Sequence, residues 1–283
     1  MGDAVTFGVR LRDALATYGP LCVGIDPHER LLLEWGLPVS AAGVREFGLR
    51  VVDAAAGRVG VLKPQVSFYE RFGSAGFAAL EDVLAAARAA GVLVIADAKR
   101  GDIGTTMDAY ADAWLTPGAP LEADALTANP FLGVGTLSHA FDLAEAHGKG
   151  VFVLAATSNP DAFTAQRARL EDGSTVSAGL IAEVSARNAQ HVAVGEWGSL
   201  GFVVGATVDW TDAGLVPPVP PAPILAPGFG YQGATPADLV RRFGPAAATV
   251  VASESRSVLS AGPAGLAARI DERRALYRAV THG

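Results

Sequence analysis

The 283-residue sequence predicts a single (β/α)8 barrel, an α/β fold in which residues 1–283 form one domain. Eight short apolar runs of strand length recur along the chain. Most of them lack apolar–polar alternation, which marks parallel strands buried on both faces under helices. Stretches of helical period separate the runs in strict alternation, and that order within this length favours a closed barrel over a doubly wound open sheet.

The strand runs fall at 21–25, 59–62, 92–96, 123–126, 151–155, 202–205, 223–226 and 248–252. Helical periodicity covers 44–56, 76–90, 137–147 and 264–279. After the fifth run, Asp172-Gly173 leads to Ser174, the expected N-cap of a long helix over 175–194. Pro217-Pro218-Val219-Pro220-Pro221 cannot be helical and is read as a stiff connection into the seventh strand. No internal repeat or domain boundary interrupts the pattern.

Half the residues are apolar and 18% are charged, enough burial to offset ordering entropy. A net charge of −7 argues against a nucleic-acid surface, so any phosphate must be met in a local pocket. The lone Cys22, inside Leu21-Cys22-Val23, is read as a buried thiol in a reducing compartment. Asp3, Arg10, Arg12 and Asp13 break up the N-terminus before a signal core can form, and no apolar stretch approaches about 18 residues. A cytoplasmic protein with no membrane partner is expected. Met1-Gly2-Asp3-Ala4-Val5-Thr6 fits a myristoylation pattern formally, but so short a consensus arises by chance. His28, His139, His147, His191 and His282 show no spacing of a metal site or triad and are read as ordinary surface or helix residues.

Chemistry concentrates where the third strand ends, in Asp97-Ala98-Lys99-Arg100-Gly101-Asp102-Ile103-Gly104-Thr105-Thr106. Period-two alternation puts Asp97 and Lys99 on one side if the strand runs that far. Solvated loop charges are the plainer alternative. Lys63, in Val61-Leu62-Lys63-Pro64-Gln65, weakens it, because a second lysine then stands at the end of the neighbouring buried strand, where barrel enzymes keep reactive groups. Lys63, Asp97, Lys99 and Asp102 can form a network in which each charge has an opposite neighbour, favouring ionised acids and protonated lysines. A lysine so held is poised to deliver a proton to carbon.

At the other end of the chain, Ala226-Pro227-Gly228-Phe229-Gly230-Tyr231-Gln232-Gly233 is a glycine-rich turn whose amides can approach an anion. Arg256 follows the eighth strand. Barrels often bind phosphate with the loops after strands seven and eight, and arginine matches phosphate in a bidentate way.

The Asp-x-Lys-x-x-Asp spacing of Asp97, Lys99 and Asp102, within the string DAKRGDIGTT and with Lys63 on the preceding strand, resembles the orotidine 5'-phosphate decarboxylase family. The likeness extends to Gly24-Ile25-Asp26-Pro27, to Thr127-Ala128-Asn129-Pro130-Phe131-Leu132-Gly133 and to Thr157-Ser158-Asn159-Pro160, and looks like the longer bacterial branch. It implies conversion of orotidine 5'-phosphate to uridine 5'-phosphate and CO2 in pyrimidine synthesis, with no cofactor and no metal. Lys99 would protonate C6, Asp97 would lie beside the departing carboxylate, and Lys63 would orient Asp97 and touch the ribose. Asp26 would bind a ribose hydroxyl, Gln232 and Arg256 would bind the phosphate, and Gly230 and Asn129 would belong to the binding surface. Asp102 and Thr106 would enter from the other subunit of a homodimer. Many members have glycine before the arginine where this chain has Ser255.

Two other readings stay open. Magnesium-dependent sugar-phosphate decarboxylases and synthases of the same superfamily share the Asp-x-Lys-x-x-Asp spacing, but they hold their metal with an acid at the end of the second strand, where Lys63 would repel a cation. A noncatalytic nucleotide-binding barrel would keep the pocket without all four charges. A Schiff-base aldolase is disfavoured, since flanking carboxylates make a lysine a poor nucleophile.

Overall fold

The computed structural model describes residues 5–281. Residues 1–4, which carry Asp3 and most of the myristoylation-like segment, and His282 lie outside them. Eight parallel strands close a barrel in sequence order: β1 (Leu21–Ile25), β2 (Val61–Pro64), β3 (Leu93–Arg100), β4 (Ala125–Ala128), β5 (Gly150–Ala156), β6 (Leu200–Val204), β7 (Ile224–Pro227) and β8 (Val250–Glu254). Closure comes from β1 pairing with β8, Leu21 opposite Ala252.

Two apolar layers follow from the period of the strands. Cys22, Val61, Leu93, Ile95, Ala125, Phe152, Val203, Leu225 and Val251 pack together inside the barrel. Their strand neighbours, such as Val23, Leu62, Val94 and Leu126, pack outward with the helices. Burial pushes the Cys22 thiol up to about 12, as expected for an inert core cysteine. Among the described residues no helix is long and apolar enough to cross a membrane.

An N-terminal helix, Phe7–Tyr18, was not foreseen, because Arg10, Arg12 and Asp13 dilute its apolar residues. Its Phe7, Leu11 and Leu15 join the interior cluster, and Phe7 meets Phe152 edge to face at 6.0 Å between centroids. The Thr6 hydroxyl caps it, accepting from the Val9 N–H.

The helix after β5 corrects two expectations. Thr175, not Ser174, is its N-cap, accepting from the Ala178 N–H, while Ser174 is engaged by the Asp172 carboxylate. It spans Val176–Asn188 and stops short of Val194. There the Asn188 side chain bonds both the N–H and the C=O of Leu200, fixing the chain's entry to β6. The proline-rich segment is irregular, as expected.

Candidate active site

Counting by twos along each strand from the packed interior leads directly to the site. Cys22 is followed by Gly24 and Asp26, Val61 by Lys63 and Gln65, Ile95 by Asp97, Ala125 by Thr127, Leu225 by Pro227, and Val251 by Ser253 and Ser255. Seven of these, Asp26, Lys63, Gln65, Asp97, Pro227, Ser253 and Ser255, line one cavity of about 200 Å³ at the C-terminal mouth, together with His28, Gly228, Phe229, Tyr231, Gln232 and Arg256.

Asp97 is the centre of the charged side. Its Oδ2 accepts from Lys63 Nζ at 2.8 Å and its Oδ1 from Lys99 Nζ at 2.5 Å. Burial alone would raise this carboxyl, but the two ammonium groups overcome it and hold Asp97 at about 2. Burial likewise works against the Lys63 ammonium, and the Asp97 and Asp26 carboxylates outweigh it, raising Lys63 above the usual lysine range. The Lys63 and Asp97 side chains are only 6% and 10% exposed, whereas Lys99 is 44% exposed, so its ammonium is the one open to the mouth.

The strand does continue through the cluster, as the spacing required. Pairing between β3 and β4 slips between Ala96 and Arg100, and Lys99 there takes φ +49°, the one non-glycine residue with positive φ among those described. For an L residue that conformation costs roughly 1–2 kcal/mol. Thr127 holds the strained turn: its hydroxyl accepts the Lys99 N–H at 2.9 Å and donates to Asp97 Oδ1 at 3.1 Å. A single fully buried threonine thus fixes both the backbone of Lys99 and the carboxylate facing it.

On the opposite side, Arg256 opens the short helix Arg256–Leu259, and its guanidinium lies 3.6 Å from the Tyr231 ring centroid. Gln232 stands beside it on the turn after β7. Gly228 and Gly230 have φ +115° and +73°, and a Cβ on Gly230 would come within 2.4 Å of Ser257 Oγ, so the turn needs glycine there. Ser255 takes φ −126°, outside the left-handed region, so the backbone accepts a serine. Gly24 lets β1 and β8 approach, since a Cβ on it would lie 2.8 Å from Ser255 Cβ. Asp26 Oδ1 and Ser255 Oγ are both buried with no hydrogen-bond partner.

Of the expected site residues, the fold therefore brings together Lys63, Asp97, Lys99, Asp26, Gln232 and Arg256, with Gly230 in the supporting turn. Asn129 stands exposed after β4, its Oδ1 accepting from the Phe131 N–H. Asp102 accepts from the Ile103 N–H at 2.8 Å and does not reach Asp97 or Lys99 within one chain, and Thr106 is exposed on the helix Gly104–Leu115. His28 is not an ordinary surface residue. It lines the cavity against Phe68, and burial, with help from Arg256, lowers its proton affinity despite Asp26. Sequence reasoning also passed over Thr127, Gln65, Ser253 and Tyr231. The period-two count from the interior would have found the first three.

A family model described as orotidine 5'-phosphate decarboxylase / HUMPS family matches residues 19–269. A protein of Corynebacterium efficiens named orotidine 5'-phosphate decarboxylase is 52% identical over 258 residues, 91% of each chain. One of Streptomyces coelicolor with the same name is 54% identical over 260 residues, again 91% of each. A solved structure from Streptomyces avermitilis superposes with a TM-score of 0.93 at 47% identity, covering 99% of this chain and 98% of that one. The OMP decarboxylase of Leishmania donovani gives a TM-score of 0.77 at 27% identity, covering 99% of this chain and 100% of that one. A barrel whose mouth carries the Lys63–Asp97–Lys99 array, matched along nearly its whole length by these relatives, belongs to the orotidine 5'-phosphate decarboxylase / HUMPS family.

Proposed function

We propose that this chain decarboxylates orotidine 5'-phosphate to uridine 5'-phosphate and CO2, using its own charges and no metal. The observation that carries the reading is Asp97, held ionised between two ammonium groups at one end of a cavity whose other end presents Arg256 and Gln232. As the C6–carboxylate bond breaks, its electron pair stays on C6. The Lys99 ammonium stabilises that charge and then gives C6 its proton. CO2 leaves past Asp97. Without a cofactor the barrier is high, and fixed charges aimed at the developing carbanion are the main means of lowering it.

Binding divides among the remaining residues. Arg256, Gln232 and the Gly230 turn take the phosphate, and the unpartnered Asp26 Oδ1 faces a ribose hydroxyl. Lys63 keeps Asp97 in place and borders the ribose, while Asn129 completes the binding surface only if its loop closes over the ligand. Binding energy from the distant phosphate serves to align C6 with Lys99.

The working form is a homodimer in which a partner's Asp102 and Thr106 complete each site. Ile103, next to Asp102 on the loop after β3, and Phe131 and Leu132 on the loop after β4 are 61%, 83% and 50% exposed, apolar surface suited to burial by a second copy. A cytoplasmic setting fits the lone buried Cys22.

The Asp-x-Lys-x-x-Asp spacing is also shared with magnesium-dependent sugar-phosphate enzymes, and Lys63 argues against that branch. Its buried ammonium, locked to Asp97, occupies the end of β2 and would repel a divalent cation. The test is an absorbance assay for loss of orotidine 5'-phosphate with CO2 trapped in parallel. Stoichiometric CO2 and uridine 5'-phosphate are expected, and binding without turnover would leave only a nucleotide-binding barrel.

A further inference from the structure

Beneath the phosphate end lies a buried polar cluster whose own residues do not line the cavity. The Glu254 side chain, at the end of β8, is 0% exposed. Its carboxylate accepts from Arg273 Nη2 at 2.6 Å, from Arg273 Nε at 3.0 Å, from the Tyr277 hydroxyl at 2.7 Å and from the Ser257 hydroxyl at 2.6 Å. Arg273 and Tyr277 belong to the terminal helix Gly262–Thr281, whose Arg269 also donates to the Ser257 carbonyl at 3.0 Å. Ser257 is the neighbour of Arg256.

The turn after β7 rests on the same groups. A Cβ on Gly230 would lie 2.4 Å from Ser257 Oγ and 3.0 Å from Glu254 Oε2, and the ring of Phe229 packs edge to face on Tyr277 at 5.7 Å. Both halves of the proposed phosphate grip, Arg256 after β8 and Gln232 on the β7 turn, are therefore braced on one carboxylate. A buried ion pair adds little net stability over apolar packing of the same volume, so its worth here lies in direction. Fixed hydrogen bonds set a distance that interchangeable apolar contacts would leave slack.

We propose that Glu254, Arg273, Tyr277 and Ser257 are positioning residues for phosphate recognition, fixing the span between Arg256 and the Gly230–Gln232 turn. The inference rests on the reading of that end as the phosphate site. Ser257→Ala and Tyr277→Phe each remove one bond and keep the Arg273–Glu254 pair, so the barrel should still fold. Their kcat and KM are measured on orotidine 5'-phosphate and on orotidine, the nucleoside without phosphate, with Arg256→Ala alongside. Ser257→Ala and Tyr277→Phe are each expected to lower kcat/KM for the nucleotide about tenfold, mostly through KM, and to leave the nucleoside within about twofold of the parent. If Arg256→Ala spares the preference for the nucleotide, the phosphate reading fails and takes the positioning role with it. If Arg256→Ala abolishes that preference while Ser257→Ala and Tyr277→Phe retain it, or lose both substrates equally, the positioning role alone is overturned.

Discussion

On the β2–β3–β4 side of the cavity both oxygens of Asp97 are already taken by Lys63 and Lys99, with Thr127 closing the set. On the β8–β1 side Asp26 Oδ1 and Ser255 Oγ are buried without partners, and Arg256, among the described residues, forms no ion pair and lies over Tyr231. On the first side each Asp97 oxygen has its cation within the chain, whereas the second side presents buried oxygens without a partner. Charges that must act on a transient carbanion have no time to reorganise, so they are fixed beforehand. Groups proposed to hold the stable phosphate and ribose can wait for them. Substitutions on the first side should therefore damage kcat and stability together, and those on the second should damage nucleotide affinity.

The sharpest division is expected at Lys99. Lys99→Ala should lower kcat on the order of 10⁴-fold or more while uridine 5'-phosphate still binds, as titration calorimetry would record. Retained decarboxylation would remove Lys99 as proton donor and the contrast with it. Arg256→Ala should lower kcat/KM roughly 100-fold and weaken uridine 5'-phosphate, and steady-state kinetics equal to the parent's would break the second half of the comparison.

Asp97→Asn should cost about 3 kcal/mol in denaturant melts, because Lys63 is left buried without a counter-charge. The sign with pH follows from the depressed carboxyl. Asp97 contributes stability that is full above its ordinary 3.8 and is lost as pH falls towards about 2, so the gap between parent and variant should close over that acid window. Lys63 behaves in mirror image. Its raised proton affinity adds stability that is full below 10.5 and lost only as pH climbs above it. Thr127→Val, nearly isosteric, should cost about tenfold in kcat with KM little changed, since it frees the strained Lys99 turn without touching the phosphate end.

Much of this was legible in the chain because barrel strands are buried on both faces and read as apolar runs. The errors are systematic. The second, fourth and eighth strands were each expected two residues early, at 59–62, 123–126 and 248–252, and the structure ends them at Pro64, Ala128 and Glu254. A hydrophobic run stops at the first polar residue, but the backbone ladder carries on through Lys63, Thr127 and Ser253 to the mouth. The site lies in those last residues, which a reading by hydrophobicity assigns to loops. Lys63, Asp97 and Lys99 were found because charge at a strand end is conspicuous, whereas Thr127 and Gln65 carry none. His28 was hidden because its role depends on β1 meeting β8, a contact between opposite ends of the chain. Neither the cluster at Glu254 nor the helix Phe7–Tyr18 packed on the interior has a local signature, since both depend on long-range packing.

The most direct test of metal-free chemistry at Lys99 and Asp97 is turnover of orotidine 5'-phosphate by enzyme exhaustively treated with chelator. The rate should be undiminished, and added magnesium should not change it. A rate that collapses on chelation and returns with magnesium would contradict the account.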